Sequence, residues 1–380
     1  MKITIVCDVL GKENNGTTIA AMNLIRSLKE KGHDVKVVCN DKDKKNLEGY
    51  YVVPELNLLF LNPIVHRNGV TLSKLDKKIL NEALHNADLV HLLIPLSLSH
   101  YAAKYCKRNK IPLTASFHAQ AENVTSHLFL KNFKPANDMV YKYFYRRVYR
   151  YVDAIHYPTQ FIRDVFESIV GKTNGVVISN GVNQIYHYDP CEKPDSLKDK
   201  FVILNVGRYC SEKNQSVLIK AIDQSKYKDM IHLILAGAGP DKNRLMHLVK
   251  KTKIDCEFNF FKREDLAKVI NYSDLYCHPA EIEIESISCI EAISCGLVPI
   301  VANSKKCATK YFALDDKSLF INKDSTDLAK KIDYWIEHPE EKKEYSNKYR
   351  NNSFVFDLKV CMDKMEEFLL NNYKRKKVKK

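Results

Sequence analysis

Tyr276 to Val301 read YCHPAEIEIESISCIEAISCGLVPIV, and the order of features in this stretch decides how the chain folds. It runs as strand, acidic loop, short helix and strand, with Gly296 where a helix ends and Pro299 just inside the next strand. Glu283 and Glu291 frame it, with seven residues between them. If most of that interval is helical, a rise of ~1.5 Å per residue sets the two carboxylates on the order of 12 Å apart. That is too far to share one proton and suits the two ends of an extended ligand.

The peptides between the glutamates open a helix, so their N–H groups and the positive end of the helix dipole favour an anion such as a diphosphate. One carboxylate for sugar hydroxyls, amides for phosphates and a second carboxylate for ribose hydroxyls would hold a nucleotide sugar. Ser288 and Glu291 also fit a Ser-x-x-Glu capping box, in which Glu291 does no more than start the helix. On this stretch alone the two readings stand level.

At 380 residues the chain has room for two cores, at about 150 residues per domain. Hydrophobic residues make up 45% and charged residues 28%, which supports packed cores and argues against disorder outside the tail. The net charge of +14 points to an anionic partner: nucleic acid, an anionic membrane or a phosphorylated substrate. Eleven cysteines without Cys-x-x-Cys spacing are the usage of a reducing cytosol rather than of a disulfide framework or a zinc site. MKITIVCDVL reads as a first strand and not a signal peptide. No run approaches ~18 apolar residues, so no membrane-spanning helix is expected.

The first half alternates strands and helices. Met1 to Asp8 is a buried strand, Gly11 to Gly16 a polar loop, Thr18 to Lys31 an amphipathic helix stopped by Gly32, and HDVKVVCN the next strand, the opening of a doubly wound α/β sheet. Gly16 permits close backbone approach at the helix start, although a turn with one glycine is commonly just a turn. Helices follow at Leu75 to Ala87 and His100 to Lys110, each trailed or preceded by an apolar strand. IPLTASFHA ends at His118, at the carboxyl end of a parallel strand, where open α/β sheets place ligand-binding residues; a core histidine is the alternative. The stretch KPANDMVYKYFYRRVYRYVD, up to Asp153, carries tyrosines with Lys142, Arg146, Arg147 and Arg150 at helical spacing. It suits an anionic membrane surface, and equally a half-buried helix with solvated arginines.

Beyond a polar, proline-bearing linker the pattern restarts. The strand FVILNVGRY delivers Gly207 and Arg208, followed by Glu212-Lys213; the strand MIHLILAGAGP ends in Gly237-Ala238-Gly239-Pro240; Phe261-Lys262 stand at a turn. Helices are expected at Lys242 to Lys251, Asp265 to Ser273, Ser325 to Glu337 and Asp357 to Tyr373, before a charged tail, KRKKVKK. Gly-Arg…Glu-Lys, Gly-x-Gly-Pro and Glu-x7-Glu-Ala with Cys295-Gly296, in that order, resemble the signature of the family-4 retaining glycosyltransferases of the GT-B fold (glycosyl transferases group 1). The resemblance covers nearly the whole chain. It departs at Glu285-Ser286, where many members carry Phe-Gly.

The resemblance implies an α/β protein of GT-B architecture, two Rossmann-like doubly wound domains facing across a cleft. The expected parts are an acceptor-side domain 1–188, a linker 189–200, a nucleotide-sugar domain 201–355, a terminal helix 356–373 packing back on the first domain, and a basic tail 374–380. It implies that Arg208 and Lys213 bind the donor diphosphate and act in catalysis with His118 and Glu283. Gly16, Gly207, Phe261, Lys262, Ser286, Ile287 and Glu291 would complete the donor site. The implied reaction moves a hexose from a nucleotide sugar, expected to be a UDP-sugar, with retention. Retaining glycosidases hold their carboxyl pair about 5 Å apart, so Glu283 and Glu291 would position sugar hydroxyls and ribose instead, and the departing phosphate would take the acceptor proton. No metal and no cofactor are expected, because cations and helix amides supply the positive charge. The basic-aromatic helix and the net charge favour a glycolipid or lipid-linked saccharide acceptor and a protein peripheral to the inner face of the cell membrane. Two other classes fit parts of the chain: a non-catalytic GT-B-like scaffold, suggested by Glu285-Ser286, and a basic nucleic-acid-binding protein, for which no recognition helix or RNP pattern stands out.

Overall fold

The computed structural model describes residues 1–8, 10, 16–57, 72–126 and 130–378. The chain divides into two compact units, residues 1–181 with 359–380, and residues 182–358. Most of the loop expected from Gly11 to Gly16 lies outside the described residues; Gly16 is the first residue of the helix Gly16–Glu30.

Unit 1 is built on seven strands: β1 (Lys2–Val6), β2 (Asp34–Cys39), β3 (Tyr50–Val52), β4 (Leu89–Leu92), β5 (Leu113–Ser116), β6 (Ala154–Tyr157) and β7 (Gly175–Val177). They pair in the order β3-β2-β1-β4-β5-β6-β7, and each pairing is parallel. Parallel neighbours need crossover connections, so helices cover both faces and the central strands lose the alternation of a half-exposed sheet. β4, β5 and β6 are buried at every position. Under the end of β5, Phe117 anchors an aromatic cluster, with ring centroids 4.6 Å from Phe166, 5.0 Å from Tyr149 and 5.6 Å from Tyr157.

Unit 2 repeats the arrangement with β8 (Phe201–Val206), β9 (Ile231–Ala236), β10 (Asp255–Asn259), β11 (Leu275–His278), β13 (Pro299–Asn303) and β15 (Leu319–Ile321), in the order β10-β9-β8-β11-β13-β15. A second, two-stranded sheet pairs β12 (Ile282–Glu283) with β14 (Lys306–Cys307). Strand order reversal beside β8 and β1 gives each unit the switch point at which doubly wound sheets bind ligands.

Three expectations about the chain's divisions need correction. The change of unit falls at Gly181 rather than at 188. Val182 N–H donates to Phe356 O and Leu358 N–H donates to Val182 O, at 2.7 and 3.0 Å, which fastens the chain to unit 2 from Val182 onward. Residues 189–200 are not a loose linker: Asp189 N–H donates to Asn271 Oδ1 at 2.8 Å and Lys193 is ion-paired with Asp274. The tail is helical, since Leu358–Val378 forms one helix. Its far end is pinned by Lys376, whose ammonium meets Asp153 at 2.7 Å, and its middle by Glu366, which accepts from Lys31 at 2.7 Å and contacts His33 at 2.8 Å.

The tyrosine-rich segment resolves into a helix, Lys134–Arg147, and a separate 3₁₀ turn, Tyr149–Tyr151, instead of one helix to Asp153. Its two readings each describe one face. Tyr141, Phe144 and Tyr149 are buried in unit 1, whereas Met139 is 67% exposed and Tyr143 53%.

Candidate functional site

The site is built on the carboxyl ends of unit 2's central strands. β8 ends at Val206, and the loop beyond it is laced to the loop after β9. Gly207 N–H donates to Ala236 O at 2.9 Å, Tyr209 N–H to Ala238 O at 3.0 Å and Asp241 N–H to Tyr209 O at 3.1 Å. This lacing needs glycine at two positions. A Cβ on Gly237 would lie 2.0 Å from Gly207 O, and one on Gly239 would lie 2.4 Å from Tyr209 O. The Gly-x-Gly-Pro turn thereby fixes the Gly-Arg…Glu-Lys loop, and Gln215 Nε2 holds Arg208 O at 2.9 Å.

That loop carries Lys213 to Glu283. The two form an ion pair in which both side chains are largely buried. Burial alone would push the Glu283 carboxyl up; the Lys213 ammonium and the His278 hydrogen bond outweigh it and hold the carboxyl at about 2. Burial likewise opposes charge on Lys213, and Glu283 more than compensates, so its pKa is raised. Carboxylate and ammonium are both charged across the physiological range.

The helix after Glu283 is shorter than the spacing argument supposes: it runs Ile287–Ser294, and Glu283 stands on β12. Cys289 and Ile290 N–H donate to Ser286 O at 3.1 and 3.3 Å, which leaves the Ile287 and Ser288 amides ahead of the intrahelical ladder, without intrahelical acceptors. Ser286 is the residue before the helix, with φ 71° and ψ 80°. Glycine adopts that left-handed conformation without strain, which accounts for the family's glycine here; this chain places a serine in it. The capping-box reading fails. The Ser288 hydroxyl donates to Val206 O at 3.2 Å and lies 3.1 Å from the Tyr276 hydroxyl, and Ser286 makes no side-chain cap. Ser288 is tied to the sheet instead.

Glu291 lies on the second turn of this helix, half-buried. Burial pushes its carboxyl up to about 7, against the opposing charge of Arg263. Tyr186, buried at 5% exposure, has its phenol raised by burial and then by the Glu291 charge. If the Glu291 carboxylate accepts from ribose hydroxyls, donor affinity is full above pH 7 and falls as the pH drops through 7, by up to about tenfold per unit. A donor titration from pH 8 to 5.5 checks this, and Glu291→Gln is expected to flatten the profile.

The structure brings Glu283, Ser286, Ile287 and Glu291 onto one strand-loop-helix assembly, with Gly207, Arg208 and Lys213 on the adjoining loop, which Lys213 ties to it through Glu283. Lys262 is the residue before the helix Arg263–Tyr272 and Phe261 is half-buried beside it; the next residue, Arg263, is the one whose charge acts on Glu291. Gly16 and His118 belong to unit 1. His118 follows β5, half-buried, with its ring edge-on to His156 at 6.0 Å. Burial, and then the neighbouring His156, pull it down to about 3, so it is neutral. Sequence reasoning missed Tyr276, His278, Ser288 and Tyr186. A histidine closing β11, five residues before Glu283, was the available signal. Among the described residues no cluster of metal-ligating side chains occurs.

Two family models match the chain, "Glycosyltransferase Family 4" over residues 14–184 and "Glycosyl transferases group 1" over residues 191–352. An alpha-monoglucosyldiacylglycerol synthase of Streptococcus pneumoniae is 23% identical over 322 residues, 80% of this chain and 71% of the relative. A GDP-mannose-dependent alpha-mannosyltransferase of Corynebacterium glutamicum is 23% identical over 79% of this chain and 72% of its own length. In three dimensions the chain matches Anabaena Alr3699/HepE, solved in complex with UDP and glucose, with a TM-score of 0.73 at 17% identity over 98% of this chain and 100% of the other. The two Rossmann-like units, the ordered motifs at their strand ends and these matches agree: the chain belongs to the family-4, group 1 glycosyltransferases of the GT-B fold, and it is a glycosyltransferase.

Proposed function

We propose that this enzyme moves a hexose from a nucleotide sugar, most simply a UDP-sugar, with retention, to a lipid acceptor at the inner face of the cell membrane: a diacylglycerol, giving a glycolipid, or a glycolipid or lipid-linked saccharide. The observation that carries the donor half is the Lys213–Glu283 pair beside the amides of Ile287 and Ser288. The cation and the amides match a diphosphate, Glu283 matches sugar hydroxyls, and Glu291 on the next turn matches a ribose. As the sugar leaves, Arg208 and Lys213 stabilise the charge gathering on the nucleotide, and the departing phosphate takes the proton of the acceptor hydroxyl on the same face. For His118 we propose hydrogen bonding of a neutral imidazole to the donor sugar, and for Gly16 close backbone approach to it. No metal and no cofactor enter this scheme.

The acceptor half draws on two things: the alpha-monoglucosyldiacylglycerol synthase among the relatives, and the outer face of helix Lys134–Arg147. There Phe133, Met139 and Tyr143 are exposed together with Lys142, Arg146 and Arg147. Rings and thioethers at headgroup depth with cations beside anionic lipid describe a peripheral membrane surface. No helix among the described residues is long and apolar enough to cross a membrane.

The donor half is tested by a thermal-shift screen of UDP-glucose, UDP-galactose and GDP-mannose, followed by transfer to diacylglycerol in vesicles and assignment of the anomeric configuration of the product. A rise in melting temperature with one UDP-sugar and an α-linked product support the proposal; no shift with any of them overturns it. For the membrane half, the Met139→Glu/Tyr143→Glu double variant is expected to lose about tenfold or more in partitioning to phosphatidylglycerol vesicles. Its donor binding should stay unchanged, as measured by co-sedimentation beside calorimetry.

A further inference from the structure

Behind Glu283 lies a buried polar network that the scheme above leaves unused. His278 Nε2 lies 3.1 Å from Glu283 Oε1 and 3.3 Å from Ser286 Oγ, and His278 Nδ1 lies 3.1 Å from the Tyr276 hydroxyl. The His278 side chain is 2% exposed.

The protons in this network can be placed one by one. Glu283 is a carboxylate and can only accept, so Nε2 carries a hydrogen. Burial disfavours the imidazolium, and although Glu283 pulls the other way the His278 pKa stays lowered; Nδ1 is then an acceptor and takes the Tyr276 proton. Ser288 gives its own proton to Val206 O, so its oxygen, 3.1 Å from the Tyr276 hydroxyl, is a second acceptor for that same phenolic proton. The tautomer therefore sets the Nε2–H toward Glu283.

The contacts from His278 and from Lys213 fall on the same carboxylate oxygen, Oε1. Neither donor hydrogen-bonds Oε2. We propose that His278 is a positioning residue for the donor sugar: its Nε2–H holds the Glu283 carboxylate so that Oε2 is offered to sugar hydroxyls, and keeps it there when Lys213 turns to the diphosphate. Lys213 is drawn by any phosphate that arrives, whereas a neutral, enclosed imidazole has no competing partner of that kind. Serine at position 286, in the left-handed turn, gives the same N–H a second acceptor that a glycine would lack. This inference rests on the donor reading proposed above.

The test uses the full chain and two probes, UDP and UDP-glucose. UDP carries no hexose and so offers nothing to Glu283 Oε2. His278→Phe is expected to leave the UDP dissociation constant within about twofold and to weaken UDP-glucose by about tenfold, the worth of one hydrogen bond to a charged group. In turnover, KM for the donor should rise more than kcat falls. His278→Gln, which keeps an N–H donor, is expected to recover most of the loss. UDP-glucose affinity unchanged in His278→Phe overturns the proposal, as does equal loss of both probes or a His278→Gln variant no better than His278→Phe. Wild-type protein that binds UDP but none of the nucleotide sugars would instead remove the donor reading, and this inference with it.

Discussion

Lys213→Ala is expected to lower kcat/KM by about 10²–10³-fold, the usual loss when one preorganised charge at the leaving group is removed. It is also expected to destabilise unit 2 by about 3 kcal/mol, because it leaves the largely buried Glu283 carboxylate without its ammonium. The two effects separate in a second variant. Lys213→Met with Glu283→Leu removes both charges, so it should recover most of the stability while remaining inactive. The pH dependence of unfolding gives a third reading. Glu283 titrates at about 2 in the native protein, below its ordinary value of 4.5. Its contribution is therefore fully present above about pH 4.5 and is lost as the pH falls from there through 2. In Lys213→Ala the larger of the two opposing interactions is gone, so that stabilisation between pH 4.5 and 2 should shrink or vanish. Denaturant melts at pH 7 and pH 3, beside donor kinetics, measure all of this.

Gly237→Ala should be the most damaging single methyl group in unit 2. The added carbon would meet Gly207 O at 2.0 Å, at a backbone φ of +156°. The clash is with backbone, so it cannot be relieved by a rotamer change, and a cost of about 3 kcal/mol or more is expected. Because Gly207 begins the loop that carries Arg208 and Lys213, donor affinity should fall with stability. Gly207→Ala is the informative contrast. A Cβ there meets nothing within 4 Å, so the fold should tolerate it within about 1 kcal/mol. Loss of UDP affinity in that stable variant would report a phosphate close to the Gly207 backbone. Thermal melts and UDP titrations of the two variants check the pair of outcomes.

The architecture was legible in the sequence because each strand end carries its own local chemistry. Gly237 and Gly239 announce a close backbone approach, and Arg208 and Lys213 follow an apolar run too short to be anything but a strand. Helix Ser325–Glu337 begins and ends where its apolar period does. The features that escaped depend on partners distant in sequence. The change of unit at Gly181 is set by the pairing of Val182 with Asp357, and no linker composition reveals that. Helix Pro339–Asn352 went unread because only Tyr345 and Tyr349 are buried in it and its other positions are polar or charged. The basic tail looked like a solvated run, yet Lys376 has a carboxylate waiting at Asp153.

Within the site, residue types were readable and conformations were not. Glu283 and Glu291 stood out by spacing, but the helix between them begins only at Ile287. The serine at 286 was visible as a departure from the family, whereas its positive φ, which explains why glycine is usual there, is a property of the folded turn. The tyrosines of 134–151 could not be sorted by composition, since buried Tyr141 and exposed Tyr143 are two residues apart.

The central claim is that one strand-loop-helix assembly in unit 2, with the adjoining loop that carries Lys213, grips a nucleotide sugar lengthwise. A diffraction structure of the full chain with bound UDP-glucose tests it most directly. The account places the diphosphate against Lys213 and the amides of Ile287 and Ser288, the ribose on Glu291 and the glucose on Glu283 Oε2. Ordered UDP-glucose seated elsewhere, with Lys213 and Glu291 both out of reach of it, would contradict the account.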